Sequence, residues 1–284
     1  MSTAALRCTE DHLLDIAGAY LDSLTANDPA GAPLAPALRA TENGVVTSTS
    51  EGLWQSARGW LYRHTFVDPQ TGGIGVFGSI AESGNEDAIV GIRLKVAGGQ
   101  ITESEILIAR KGDFALFEPR WASEPKAIFG SYLPPSRQTD RATLADIPRR
   151  YFEAIAKGDP RIAPAHPDCQ RLENGVQTTM NPLIRSPSQS ESLRRLVYMQ
   201  HARGLRAPVV DVERGLVFCV VAIDMPMMAK TIMVRGKPHE IKPERHHLPR
   251  TLCLHELFKV ENGRIRSIEA VMRNAPLGFD MGWG

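Results

Sequence analysis

The chain has 284 residues, 43% of them hydrophobic, and its 33 Lys and Arg nearly balance 32 Asp and Glu. Without a surplus of cations there is little to neutralise a phosphate backbone, so nucleic acid is not an expected partner. The longest apolar run, Leu216–Ile223, falls far short of the ~18 residues that a membrane-spanning helix needs, so no membrane association is expected either.

The first residues carry acids where a secretion signal would keep an apolar stretch, which predicts a cytoplasmic protein. Apolar spacing at Ile16, Tyr20, Leu21 and Leu24 then predicts a helix that stops at Asp28-Pro29. A second helix is expected over "SEGLWQSARGWLYRH", with Ser50 as N-cap and Glu51 favouring the first turn. Alternating β-branched runs follow at Gly75–Ile80, Ala88–Val96 and Ile101–Ile108, the last two joined by the tight turn "VAGGQI". The pattern then starts again. A helix runs through Ile147 and Tyr151, another is expected over "SESLRRLVYMQH", and strands follow at Leu216–Ile223, Thr251–Val260 and Arg264–Met272 with the turn "VENGRI".

This recurrence is written in the residues themselves. "RATENGVVTS" at Arg39–Ser48 returns as "QRLENGVQTT" at Gln170–Thr179. On the same diagonal Asp15, Ile16, Tyr20, Asp28, Pro29, Pro33 and Pro36 match Asp146, Ile147, Tyr151, Asp159, Pro160, Pro164 and Pro167. The last hairpins also match, with Lys95, Val96, Gly99, Ile101 and Glu105 against Lys259, Val260, Gly263, Ile265 and Glu269. The chain therefore reads as two α+β domains, residues 1–135 and 136–284, each with helices on a curved antiparallel sheet. The second half carries an extended flap over residues 225–250, which contains "MPMMAKTIMVRGKPHEIKPERHHLP".

A first helix ending in "GDP", helices folded over a curved sheet and a last hairpin reading F-K-V-x-x-G-x-I resemble the nuclear-transport-factor-2-like superfamily, of which SnoaL-like proteins are part. The resemblance implies one cone-shaped barrel per half, with an apolar pocket on the concave face. More narrowly, "TENG", "RLKV", "ENGVQTT" and "HELFKVENGRIRSIEAV" are similar to a tandem group that includes cofactor-independent lyases releasing formaldehyde from lignin-derived diarylpropanes. That resemblance implies a small aromatic substrate, no cofactor, and a stilbene product formed through a quinone methide. Isomerase or dehydratase chemistry on a cyclic substrate, or non-catalytic binding and assembly, stay open as alternatives, and a homo-oligomer is expected.

Aligned with the superfamily, Glu256, Phe258, Val260, Ile268, Ala270 and Met272 point into the second pocket, and Ile92, Leu94, Ile106 and Ile108 into the first. Arg93, Glu105, His255 and Glu269 fall on the outer face, where Arg93 is expected to meet a glutamate across the seam between halves. Tyr20 and Tyr151 occupy the position that supplies an oxyanion-hole phenol in ketosteroid isomerase, a system in which a tyrosine acts with a protonated aspartic acid. Glu256 lies near the place of that acid. A carboxylate facing an apolar pocket is costly unless paired or protonated, so Glu256 is the candidate proton donor.

The candidate catalytic set is Glu256, Tyr151 and His201. The candidate substrate-binding set is Arg185, Arg195, Tyr198, Met225, Phe258, Met272, Tyr20, Trp54 and His64. Core packing competes with these roles for the tyrosines and methionines, and a surface helix end competes for the two histidines. Glu42-Asn43 and Glu173-Asn174 recur in both halves, which favours an architectural duty at the turns before Gly44 and Gly175. His239, His246, His247 and His255 match no metal-ligand spacing, and Cys8, Cys169, Cys219 and Cys253 form no CxxC. No phosphate loop, GxSxG elbow or dinucleotide fingerprint appears, so no metal and no cofactor is expected.

Overall fold

The computed structural model describes residues 8–84, 86–123, 126–181, 188–196, 199, 201–226, 231–234, 237–240 and 249–283, with backbone alone at 121, 195, 231–234 and 237–240. The first half runs α1 (Glu10–Ala26), β1 (Leu34–Glu42), β2 (Val45–Val46), α2 (Leu53–Ser56), β3 (Ala57–Asp68), β4 (Gly73–Glu82), β5 (Ala88–Ala97) and β6 (Gln100–Ala109). Short helices α3 (Pro119–Ala122) and α4 (Ala127–Gly130) lead to the second half. There α5 (Arg141–Lys157), β7 (Ala165–Glu173), β8 (Val176–Gln177), α6 (Gln189–Arg195), β9 (His201–Asp211), β10 (Leu216–Met225), β13 (Arg250–Glu261) and β14 (Arg264–Pro276) repeat the plan. Among the described residues the flap holds a hairpin, β11 (Thr231–Val234) and β12 (Lys237–Glu240).

Each half is α+β and forms one six-stranded sheet, in the orders β2-β1-β6-β5-β4-β3 and β8-β7-β14-β13-β10-β9. Two expectations need correction. The sheets are mixed, because β1 joins β6 and β7 joins β14 in parallel, and among the described residues each sheet has two free ends and does not close into a barrel. The expected second helix of the first half is also largely strand, whereas that of the second half is present as α6 (Gln189–Arg195). In the first half only Leu53–Ser56 is helical before β3, and in the second α6 ends at Arg195 before β9. Tyr62, His64 and Phe66 stack along one face of β3, the spacing of a strand. Bulges at Ala57/Gly59 and Trp60/Tyr62 re-aim the chain, so Trp60 turns to the helix side and donates from Nε1 to the Leu21 carbonyl. These bulges break the alternation that would have marked a strand.

Among the described residues three apolar clusters organise the molecule. One packs α1 and α2 on the inner face of the first sheet, through Tyr20, Leu24, Trp54, Val76, Ile92 and Ile106. Another packs α5 and α6 on the second sheet, through Tyr151, Leu193, Val217, Val221, Phe258 and Met272. The third lies between the halves, where Phe66, Phe77, Leu107 and Phe129 meet Phe218, Val220, Leu257 and Val271. Strand β10 shows why its sequence is apolar without a break. Val217, Cys219, Val221 and Ile223 face the helices, and Leu216, Phe218, Val220 and Ala222 face the other half. Gly91 on β5 marks how close the two sheets come, since a Cβ there would lie 2.9 Å from the Cβ of His255.

Charges on this seam are paired. Glu105 accepts from Arg93 Nε at 2.9 Å and from Arg206 of the other half at 2.7 Å. Glu269 accepts from His64 Nε2 at 2.9 Å and lies 3.3 Å from the Lys126 ammonium. Arg93 thus binds Glu105 and Glu103 of its own half, a correction to the pairing expected for it, and Arg206 makes the crossing. Burial alone would raise the Glu105 carboxyl, but the imidazole of His255 and the Arg206 guanidinium outweigh it and hold the pKa down at about 2. His255 is 3.9 Å from Glu105, beyond hydrogen-bond reach, so the direct hydrogen bonds to this carboxylate come from the guanidiniums of Arg93 and Arg206. Among the described residues no helix is long and apolar enough to cross a membrane.

Removing the Glu105 carboxylate leaves two guanidiniums facing each other in the seam. Glu105→Ala is expected to lower stability by about 3 to 5 kcal/mol. Because the folded-state pKa lies below the ordinary 4.5, this contribution is complete above pH 4.5 and fades as pH falls toward 2. Chemical denaturation of wild type and variant across that range checks it, and a constant difference between them would contradict the pairing.

Candidate functional site

The register of the second sheet builds a polar row inside an apolar cup. On β13, β14 and β7, Glu256 pairs with Ala270 and Ala270 with Glu173. Two carboxyl groups therefore face the helices across a small alanine. The next row along is Phe258, Ile268 and Arg171, which sets the arginine beside Glu173. Arg171 is buried, and its Nε lies 2.7 Å from Glu173 Oε1. The same guanidinium donates to Thr178 Oγ1 at 3.1 Å, Tyr151 Oη at 3.3 Å and Ser192 Oγ at 2.7 Å. Gln189 Nε2 also donates to Tyr151 Oη at 3.3 Å. Helices α5 and α6 thus close over the sheet by supplying partners for one buried cation.

Glu256 has no such partner. It is 2% exposed, and its Oε2 makes no hydrogen bond. Burial pushes its carboxyl up to about 8, against the pull of the Arg171 charge and with the push of the Glu173 charge. At neutral pH Glu256 is a protonated acid beside a paired carboxylate, the arrangement in which two like groups take different proton states. Burial raises the Tyr151 phenol above its ordinary range as well, so it stays a neutral donor. Tyr151, Glu173 and Glu256, with Phe152, Ile155, Leu196, Met199, Ile223, Leu252, Leu254 and Met272, line a cleft of about 270 Å³. Its roomy part is only about 20 Å³, space for roughly one water.

The first half keeps the frame and one carboxyl, Glu42, but has no counterpart of Arg171 or Glu256. The rows that correspond to those above are Ile92, Ile106, Glu42 and Leu94, Ser104, Ala40. Tyr20 Oη pairs with Ser104 Oγ at 2.8 Å and its ring meets Trp54 edge-on at 5.3 Å. Tyr20 and Trp54 are therefore first-half core residues, remote from Glu256. Glu42 accepts from the Leu53 N–H at 2.7 Å and so holds the start of α2. Asn43 and Asn174 both take left-handed φ, and their side chains accept from Ile108 N and Met272 N at 2.9 Å. The repeated asparagines tie the same turn to the last strand in each half.

The other expected site residues scatter. Phe258 packs edge-on against Tyr151 at 5.1 Å, and Met225 belongs to the same core. His64 lies on β3 in the seam, not at a helix end, where Phe129 stands 5.4 Å from its ring. His201 is exposed at the start of β9, also not a helix end, opposite Asp224. Arg185 and Tyr198 lie outside the described residues, as do His246 and His247, and Arg195 and His239 are described by backbone alone. Arg171 was not among the candidates. The signal for it was present, since the repeat sets Ala40 against it, just as it sets Ile92 against Glu256. Among the described residues no cluster of His, Cys, Asp and Glu is placed to hold a metal, and Cys169, Cys219 and Cys253 are buried free thiols.

A raised carboxyl binds its proton more tightly in the folded than in the unfolded state. The stability it contributes is complete below pH 4.5 and is lost as pH rises through about 8. Glu256→Gln, which cannot ionise, should match the wild type near pH 4.5 and exceed it above pH 8 by on the order of a few kcal/mol. Parallel stability curves for the two proteins would contradict the buried acid.

Among solved structures, the chain is similar to a de novo designed protein with a curved β-sheet, at 14% identity over 47% of this chain and 87% of that one, TM-score 0.29. It is also similar to a candidate polyketide cyclase from Silicibacter sp. TM1040, at 12% identity over 45% of this chain and 87% of that one, TM-score 0.29. No curated protein matches it. A family described as a domain of unknown function, DUF8021, matches residues 6–108 and 137–272, and the chain belongs to it.

Proposed function

We propose that the second half is a cofactor-independent general-acid site for a small aromatic molecule, and that its reaction is the release of formaldehyde from a diarylpropane diol. The observation that carries this reading is Glu256, a buried carboxyl raised to about 8 in an apolar cleft, with the Arg171–Glu173 pair beside it. A carboxyl of that kind gives up its proton near neutral pH, where a general acid is most effective. The expected roles of His201, exposed on β9, pass to Glu256.

In the proposed sequence Glu256 protonates the benzylic hydroxyl, the carbon–oxygen bond breaks and water leaves. The para-phenol supplies the electron pair and loses its proton, giving a quinone methide; Glu173 is the cleft group able to take that proton. Glu256, now a carboxylate, removes the proton of the hydroxymethyl arm. The carbon–carbon bond breaks, formaldehyde departs, and the electrons return to the ring as the phenol regains its proton and the stilbene double bond forms. Diol becomes stilbene, formaldehyde and water, with no change in the protein. Because the cleft has room for about one water, an aromatic ring enters only as Leu196, Met199 and Met272 give way, a demand that unbranched methionines meet readily.

Assay of formaldehyde from a phenolic diarylpropane diol tests the proposal. Wild type should release it, the phenol-methylated substrate should give none, and Glu256→Gln should lose roughly 100-fold or more in rate. Turnover that survives methylation or the Gln substitution would overturn the mechanism, and saturable binding without any product would make this half a binder.

A further inference from the structure

On the outer side of the second half, away from Glu256, four arginines converge. Arg150 of α5, Arg161, Arg194 of α6 and Arg264 of β14 line an open groove of about 500 Å³, together with Ser190 and Asn262. Pro160, Ala163 and Pro164 form an apolar floor. Among the described residues only Arg161 of the four makes an ion pair, with Asp159 at 2.7 Å, and that carboxylate also feels the charge of Arg194. Arg150 acts at longer range on Asp146, which Arg149 already holds. Gathering like charges in a concave surface costs stability unless a counter-charge settles among them.

The duplication supplies a control for whether the architecture requires these residues. It does not. The corresponding first-half positions hold Ala19, Ala30, Trp54 and Gln100, although the proline at the groove floor recurs as Pro33 for Pro164. Trp54 is buried against Tyr20 where Arg194 is exposed. The four cations therefore belong to the half that also gained Arg171 and Glu256, and α6 serves both places. Its Gln189 and Ser192 hold Tyr151 and Arg171 inside, and its Ser190 and Arg194 face the groove outside.

We propose that this groove binds a small molecule carrying two or more phosphate groups. Guanidinium groups present paired N–H donors that match phosphate oxygens two at a time, and three guanidiniums that make no ion pair among the described residues suit an ion with more than one negative charge. The Ser190 hydroxyl and the Asn262 amide add neutral donors, and the proline and alanine floor suits the carbon part of an organic phosphate.

Titration calorimetry with inorganic pyrophosphate at fixed ionic strength tests this, with orthophosphate and citrate as comparisons. The expected result is one saturable site per chain for pyrophosphate, tighter than for either comparison. The double variant Arg194→Ala/Arg264→Ala should weaken it by about tenfold or more. Arg149→Ala, an arginine of α5 already paired with Asp146 and Glu153, should leave it unchanged, and so should Glu256→Gln, so binding here stands or falls separately from the acid site. Citrate binding as tightly as pyrophosphate would overturn the phosphate assignment, and equal binding by a folded double variant would overturn the site.

Discussion

Both sheets are covered on both faces, and that constraint governs the rest. Helices close one face of each, and the other faces close on each other through Phe66, Phe77, Phe218 and Leu257. A polar side chain on any central strand therefore enters a dry place whichever way it points, and must find a partner or give up its charge. On the seam the first outcome holds, with Glu105 between two arginines and Glu269 between His64 and Lys126. Inside the second half Arg171 and Glu173 neutralise each other, and Glu256, with no counter-ion of its own, keeps its proton.

Duplication makes the chain its own reference. Features that recur are those the frame needs: Asn43 and Asn174 fastening a turn, and Tyr20 and Tyr151 buried on the first helix of each half. Features that differ are released from that duty. In the first half Ala40 and Ile92 stand where Arg171 and Glu256 stand in the second. The small Ala270 between Glu256 and Glu173 in the same row leaves the two carboxyl groups facing a common space. Nothing in the frame compels a carboxyl there, which is why its presence points to chemistry.

Much of this was legible in the residues alone. The repeat set the number of halves, and the last hairpin, once aligned with the superfamily it resembles, placed Glu256 among the inward side chains. Where the reading failed, two periodicities overlapped. Trp60 and His64 stand one helical turn apart, yet Tyr62, His64 and Phe66 form a strand face, and the bulges at Gly59 and Tyr62 hide it. The parallel joining of β1 to β6 and β7 to β14 leaves no local mark, because it depends on where distant segments dock. Arg171 escaped for a related reason. Its strand, "AHPDCQRLE", lacks an apolar alternation, so only its long-range partners reveal that it points inward.

The central claim is that Glu256 is a neutral acid in the folded protein at neutral pH. Infrared difference spectroscopy of wild type against Glu256→Gln, at pH 6 and pH 9, observes that proton directly. The account predicts a protonated-carboxyl band at the lower pH that is missing from the variant and gives way to a carboxylate band at the higher pH. A wild-type spectrum without that band at pH 6 would show Glu256 ionised, and the acid site would be gone.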